Sequence, residues 1–187
     1  GVAQFQALDR LDCKFSAKEL MREASAPTKG SQAKLKRHSR YQVSHERLIN
    51  WYPWQARQTK ASCPCDSDWA GCPRTRKSTT CCLPRLGKHI LAEIVMTQSL
   101  VALSSGEAEL YAILRGSVEL RFIKSLLSFF DHVVDMELET DSSAAKGAAL
   151  RLGAGKRMRH LEMNVYHIQD LLNSKAMSIV KVPGTKN

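Results

Sequence analysis

The chain is 187 residues long, enough for one ordinary domain with an appendage. Hydrophobic residues make up 43% of it, which supplies a packed core and argues against disorder throughout. Its longest apolar runs, such as Ile123 to Phe130, are interrupted by Lys124, Ser125 and Ser128, so no membrane span is expected. The net charge of +10 calls for a polyanionic partner, nucleic acid ahead of an acidic membrane surface. Much of that charge sits early, with 12 Lys+Arg against 5 Asp+Glu in residues 1–60. No secretory signal is visible behind Gly1, so a cytoplasmic or nuclear setting is expected, and the sequence reads as a piece of something longer.

Two parts are expected, a basic and partly helical connection over 1–58 and an α/β domain over 59–187. In the first, Ser16-Ala-Lys-Glu19 has the form of a capping box before Leu20 and Met21. A second helix is expected from about Ser31 to Tyr41. Pro27, Gly30 and Pro53 punctuate the region, and its apolar content is too thin for an independent core. From Thr59 a short strand should end at Cys65-Asp66. Ser78 to Thr97 supplies two more strands around a turn at Gly87-Lys88. A long helix follows, opened by the capping box Ser104-Ser-Gly-Glu107. Behind it Tyr111, Leu114, Val118, Phe122, Leu126 and Phe130 recur at helical spacing. Val134, Met136, Leu138 and Thr140 alternate with Asp135, Glu137 and Glu139, as in a strand with one buried face. Asp141-Ser-Ser opens another helix ending near Gly153 and Gly155. Leu161, Val165, Ile168 and Leu172 mark a further helix, and Met177 to Val182 a last strand closed by Pro183-Gly184. The expected order is β-β-β-α-β-α-α-β.

Six cysteines are present, and without secretion they are expected to be reduced. Cys63, Cys65, Cys72, Cys81 and Cys82 invite a zinc reading, but their spacing repeats no zinc pair, and small apolar side chains are the plainer account. Three acidic residues stand at element ends: Asp66, Glu109 and Asp141. Each has an ordinary explanation, as a turn residue, a solvated helix residue and an N-cap respectively. Glu107 and Glu109 point about 200° apart around a helix. Glu107 is accounted for by Ser104, which leaves Glu109 free for chemistry. Gathered carboxylates repel unless a cation sits among them. Hard oxygen donors of this type suit magnesium or manganese, and a pair of such ions can hold the attacking and leaving oxygens of a phosphodiester displacement.

Asp66-Ser-Asp-Trp-Ala-Gly-Cys72 with Thr75-Arg-Lys-Ser-Thr79 resembles the first-strand motif of copia-type retrotransposon ribonuclease H domains. Ser104-Ser-Gly-Glu-Ala-Glu-Leu-Tyr-Ala112 resembles their helix motif, and Thr140-Asp-Ser-Ser-Ala-Ala145 their second aspartate motif. Arg159-His-Leu-Glu162 is similar to the segment that follows. The resemblance covers about residues 59–187. Residues 16–58, through Lys18-Glu-Leu-Met-Arg22, Leu35-Lys-Arg37 and Arg40-Tyr41, more weakly resemble the end of the preceding reverse transcriptase region. What the resemblance implies is a mixed five-stranded sheet flanked by helices and hydrolysis of the RNA strand of an RNA–DNA hybrid. It implies Asp66, Glu109 and Asp141 as catalytic metal ligands, with water as nucleophile. The implied partner in the element is the rest of the Pol polyprotein, within a cytoplasmic particle or the nucleus. A fourth carboxylate is expected just past Asn187, so the domain is expected to be truncated there. Lys156, Arg157, Arg159 and His160 are candidates for phosphate contacts, or a solvated basic turn. Trp51, Trp54 and Trp69 read as core or interface residues, and His160 and His167 as packing or surface residues. Cys81-Cys82 and Val95-Met96-Thr97 depart from the family pattern. Two competing readings remain: a decayed, non-catalytic nucleic-acid-binding remnant, and an integrase, which the Asp-Glu-Asp order disfavours.

Overall fold

A computed structural model describes residues 1–151 and 162–184, and divides the chain into two compact units, Gly1–Trp51 and Tyr52–Asn187. The boundary falls before the expected Gln58 because residues 52–58 are laced to the second unit. Gln55 Nε2 donates to the Leu86 carbonyl at 2.8 Å, and Lys88 N–H donates to Gln55 Oε1 at 2.9 Å.

The first unit holds three helices: α1 (Val2–Gln6), α2 (Lys14–Arg22) and α3 (Lys29–Ser44). The expected capping box at Ser16 does not form. Helix α2 starts at Lys14, so Ser16 lies inside it, donating to the Cys13 carbonyl at 2.9 Å and meeting His38 Nδ1 at 2.8 Å. The capping box is instead at α3, where Thr28 Oγ1 accepts from Ser31 N–H and Ser31 Oγ accepts from Thr28 N–H. Asp12 takes two bonds from Arg10 and one from the Tyr41 hydroxyl. The Arg10 guanidinium, then Tyr41, holds that carboxyl down to about 2. The buried side chains are few and small, Cys13, Ala17, Ser31 and His38 among them, as the thin apolar content of the segment dictates.

The second unit is built on β1 (Lys60–Asp68), the central strand of a seven-segment sheet. β2 (Thr79–Cys82) and β3 (Arg85–Leu86) pair antiparallel with it in one continuous register, from Asp68↔Thr79 through Ser62↔Arg85. They are separate segments because Pro64 sits opposite the break. Leu83 N–H donates to the Pro64 carbonyl at 3.0 Å, but Pro64 has no N–H to return. β4 (His89–Ile90) and β5 (Ile94–Thr97) are likewise one strand, divided by a bulge. Leu91 and Ala92 both donate to the Pro84 carbonyl, and the register slips by one residue across that point. On its other edge β1 pairs parallel with β6 (Asp135–Thr140), which pairs parallel with β7 (Met177–Lys181). The seven segments thus make the expected mixed five-stranded sheet.

Helix α4 (Ser105–Phe129) lies on β1, followed by α5 (Ser143–Leu150) and α6 (Glu162–Asn173). Of the apolar stripe read from the sequence, Tyr111 and Leu114 pack against the core and the rest of it does not. Val118, Phe122, Leu126 and Phe130 are exposed, while Ala112, Ile113, Gly116, Leu120 and Ile123 face the sheet. Small residues there let the helix approach closely. A Cβ on Gly116 would run into the sulfur of Cys65 and sit 3.0 Å from Leu138. The main core joins this face to Ala61, Cys63, Cys65, Leu138 and Ile179 from the sheet and Val165 and Ile168 from α6. The three tryptophans lie outside it: Trp51, Trp54 and Trp69 are all exposed, and Trp69 is tied down by an indole bond to the Ala102 carbonyl. Tryptophan is large and carries an N–H, and the close helix–sheet approach leaves no room for it.

Candidate metal centre

Parallel pairing sets the site. The β1–β6 register runs from Lys60↔Asp135 to Pro64↔Glu139, and carrying it two residues further sets Asp66 beside Asp141. Asp66 does not close its strand as expected, because β1 runs on to Asp68. Asp68 serves the hairpin, accepting from Thr79 N–H. That leaves Asp66 on the strand with an exposed carboxylate. Asp141 follows β6 without capping the next helix. Ser142 is the N-cap of α5, accepting from Ala145 N–H at 3.1 Å. The N-cap account of Asp141 therefore fails, and its carboxylate is available.

The first turns of α4 bring the third group. Ser104 Oγ accepts from Glu107 N–H at 3.2 Å, and Glu107 Oε2 reaches back to Leu103 N–H at 3.0 Å, one residue before the N-cap. Glu107 is thereby committed to the helix start. Glu109, pointing to the sheet, takes two bonds on Oε1 from Ser67, one from its N–H at 3.2 Å and one from its hydroxyl at 2.9 Å. Its other oxygen, Oε2, is buried with no hydrogen-bond partner among the described residues. Burial pushes the Glu109 carboxyl up to about 7, and the charges of Asp66 and Asp141 add to this against the two Ser67 bonds.

One oxygen from each of Asp66, Glu109 and Asp141 lies within 4.8 Å of the others. The neighbouring acids are otherwise engaged. Glu139 is held by Arg85 through bonds of 2.7 and 2.6 Å, and Glu137 by Lys60 at 2.9 Å. Gly184 lies against Asp141, where a Cβ would come within 2.9 Å of Asp141 Oδ2. A carboxylate oxygen buried without a donor, beside two more carboxylates, is a donor set for a hard divalent cation.

Solved structures with the same arrangement of sheet and helices are found. LC11-RNase H1, isolated from compost by a metagenomic approach, superposes with a TM-score of 0.55, covering 70% of this chain and 89% of that one at 16% identity. This chain has the ribonuclease H fold. The same LC11-RNase H1 in complex with an RNA/DNA hybrid gives 0.51, at 17% identity over 68% of this chain and 88% of that one. So does the N-terminal RNase H domain of a Mycobacterium tuberculosis protein, at 15% identity over 70% and 86%. An uncharacterized mitochondrial protein of Arabidopsis thaliana, AtMg00810, is 32% identical over 120 residues, which is 64% of this chain. The chain spans half the length of that curated relative. No family model matches the chain.

Within the ribonuclease H fold, Asp66, Glu109 and Asp141 meet where the central strand, the long helix and the fourth strand converge. Lys156, Arg157, Arg159 and His160 lie outside the described residues. Two contributors escaped the sequence reading. Ser67 was legible in principle, since it continues the alternation of Ala61, Cys63 and Cys65 toward α4. Gly184 gave no local signal, because its contact with Asp141 is made only across the folded sheet.

Proposed function

We propose that this chain is the ribonuclease H part of a copia-type retrotransposon polyprotein and hydrolyses the RNA strand of RNA–DNA hybrids with magnesium or manganese. The motifs around Asp66, Glu109 and Asp141 support the family. The observation that carries the activity is Glu109 Oε2, buried without a donor beside two other carboxylates. Hard oxygen donors fit Mg²⁺ or Mn²⁺, and Asp66, Glu109 and Asp141 are the residues that would hold them. When bound, a pair of divalent cations supplies the positive charge against which a phosphodiester's attacking and leaving oxygens develop.

The chain's own residues prepare for this. Ser67 fixes one Glu109 oxygen and leaves the other without a donor among the described residues. Burial makes Glu109 hold its proton more tightly than an ordinary carboxyl, and a bound divalent cation would favour its deprotonated form. Gly184 keeps the space over Asp141 open. The hybrid would be recognised by shape, backbone and 2′-hydroxyls, with Lys156, Arg157, Arg159 and His160 as phosphate contacts. Residues 1–51 belong, in this reading, to the end of a reverse transcriptase region, and the polyprotein acts in a cytoplasmic particle or the nucleus.

The test is cleavage of a labelled RNA–DNA hybrid in magnesium and then manganese, beside Asp66→Asn. Metal-dependent cutting of the RNA strand, lost in the variant and absent with duplex DNA, is the expected result. Hybrid binding that persists in EDTA with no cutting in either metal would overturn the nuclease and assign a binding remnant.

A further inference from the structure

A second cluster of ligand atoms lies on the same strand, and the carboxylate chemistry does not use it. Cys63 and Cys65 alternate onto the α4 side of β1, and Cys82 stands directly opposite Cys65 on β2. One strand spacing and one cross-strand pair thus bring three sulfurs together. All three lie within 4.8 Å of one another, with Cys63 and Cys65 Sγ 3.7 Å apart, and all three residues are fully buried. The other cysteines stand apart: Cys81 alternates to the opposite face, Cys72 accepts from Thr75 N–H in a loop, and Cys13 belongs to the first unit.

We propose that Cys63, Cys65 and Cys82 form a three-sulfur site for a soft metal ion of low coordination number, monovalent copper. Thiolate donors select soft ions. A metal–sulfur bond of about 2.3 Å places three sulfurs around a central ion roughly 4 Å from one another, and the 3.7 Å between Cys63 and Cys65 is near that spacing. A closed zinc site takes four donors, and among the described residues no fourth His, Cys, Asp or Glu joins the three. The surroundings are dry: Gly116 of α4 passes directly over the sulfurs, and Leu138 packs beside them. The thiols now make long contacts to main-chain carbonyls, Cys82 to Ala112 at 3.4 Å and Cys63 to Pro64 at 3.6 Å. Such weak contacts are cheaply exchanged for metal–sulfur bonds, the thiol protons passing to solvent. The inference is independent of the nuclease reading.

The test uses the full chain with Cys13, Cys72 and Cys81 changed to serine, refolded under reducing, oxygen-free conditions with Cu(I). Expected are one copper per chain retained against a competing Cu(I) chelator, three sulfur neighbours by copper-edge X-ray absorption, and a raised Tm. Cys82→Ala and Cys63→Ala, each checked for folding by circular dichroism, should each bind at least about tenfold more weakly. No copper retained, or equal retention in both alanine variants, overturns the site. Tighter retention of Zn²⁺ than of Cu(I) overturns the choice of ion.

Discussion

The two ends of β1 carry two trios of ligand atoms built on the same scaffold, and they do opposite things. Toward its middle, Cys63 and Cys65 join Cys82 under α4, fully buried in the folded core. One residue on, Asp66 joins Glu109 and Asp141 where the sheet opens, and there three acids crowd one another. The thiol end adds packing. The carboxylate end strains the fold, as the raised pKa of Glu109 records. A strand can therefore hold packing and candidate chemistry on adjacent residues, because alternation and α4 divide its environment so sharply.

The largest effect should come from neutralising the acidic end. Asp66→Asn is expected to lower hybrid cleavage by at least about a hundredfold, with Tm unchanged or raised. A variant that cleaves normally, or unfolds, would erase the distinction between the two ends. Next comes pH. Without divalent cation, Glu109 binds a proton in the folded chain with a pKa of about 7, against 4.5 when unfolded. The raised value makes its contribution complete below pH 4.5, and lost as pH rises through about 7. Denaturant unfolding should show that loss, up to about 3 kcal/mol, and Glu109→Gln should flatten it. Saturating Mn²⁺ should flatten it as well.

The packing end is probed by Gly116→Val, which drives a branched side chain into Cys65. A net loss of about 2 kcal/mol is expected, read from the denaturant midpoint. The smallest effect belongs to the outer face of α4. Phe122 is 65% exposed, and Phe122→Ser should change stability by less than about 0.5 kcal/mol. A loss comparable to that at Gly116 would show that this face is packed in solution.

Much of the architecture was readable because local rules set it. The period-2 pattern of Val134 to Thr140 and the turn at Gly87, whose φ is +60°, are stated in the residues themselves. Helix α4 was legible from its large apolar residues, which give the louder periodicity although most of them lie on its exposed side. Ala112 and Gly116 carry the contact that matters, and small residues are quiet in any hydrophobic pattern. The Pro64 gap and the bulge at Leu91 turn five strands into seven segments, a division fixed by missing or doubled hydrogen bonds. Glu109 could be separated from Glu107 by helix geometry alone. That the three carboxylates converge depended on the parallel β1–β6 register, which no stretch of sequence states.

That parallel register also sets an order of assembly. The three thiols lie on one hairpin and can meet as soon as β1 and β2 have formed. Asp66 and Asp141 meet only when β6 returns beside β1, after the whole of α4 has been made, and closing so long a loop is entropically slow. The sulfur trio thus depends on a local pairing and the acidic trio on a distant one. The carboxylate trio is therefore expected to be a late product of folding, and the proposed nuclease would be idle until the sheet is complete.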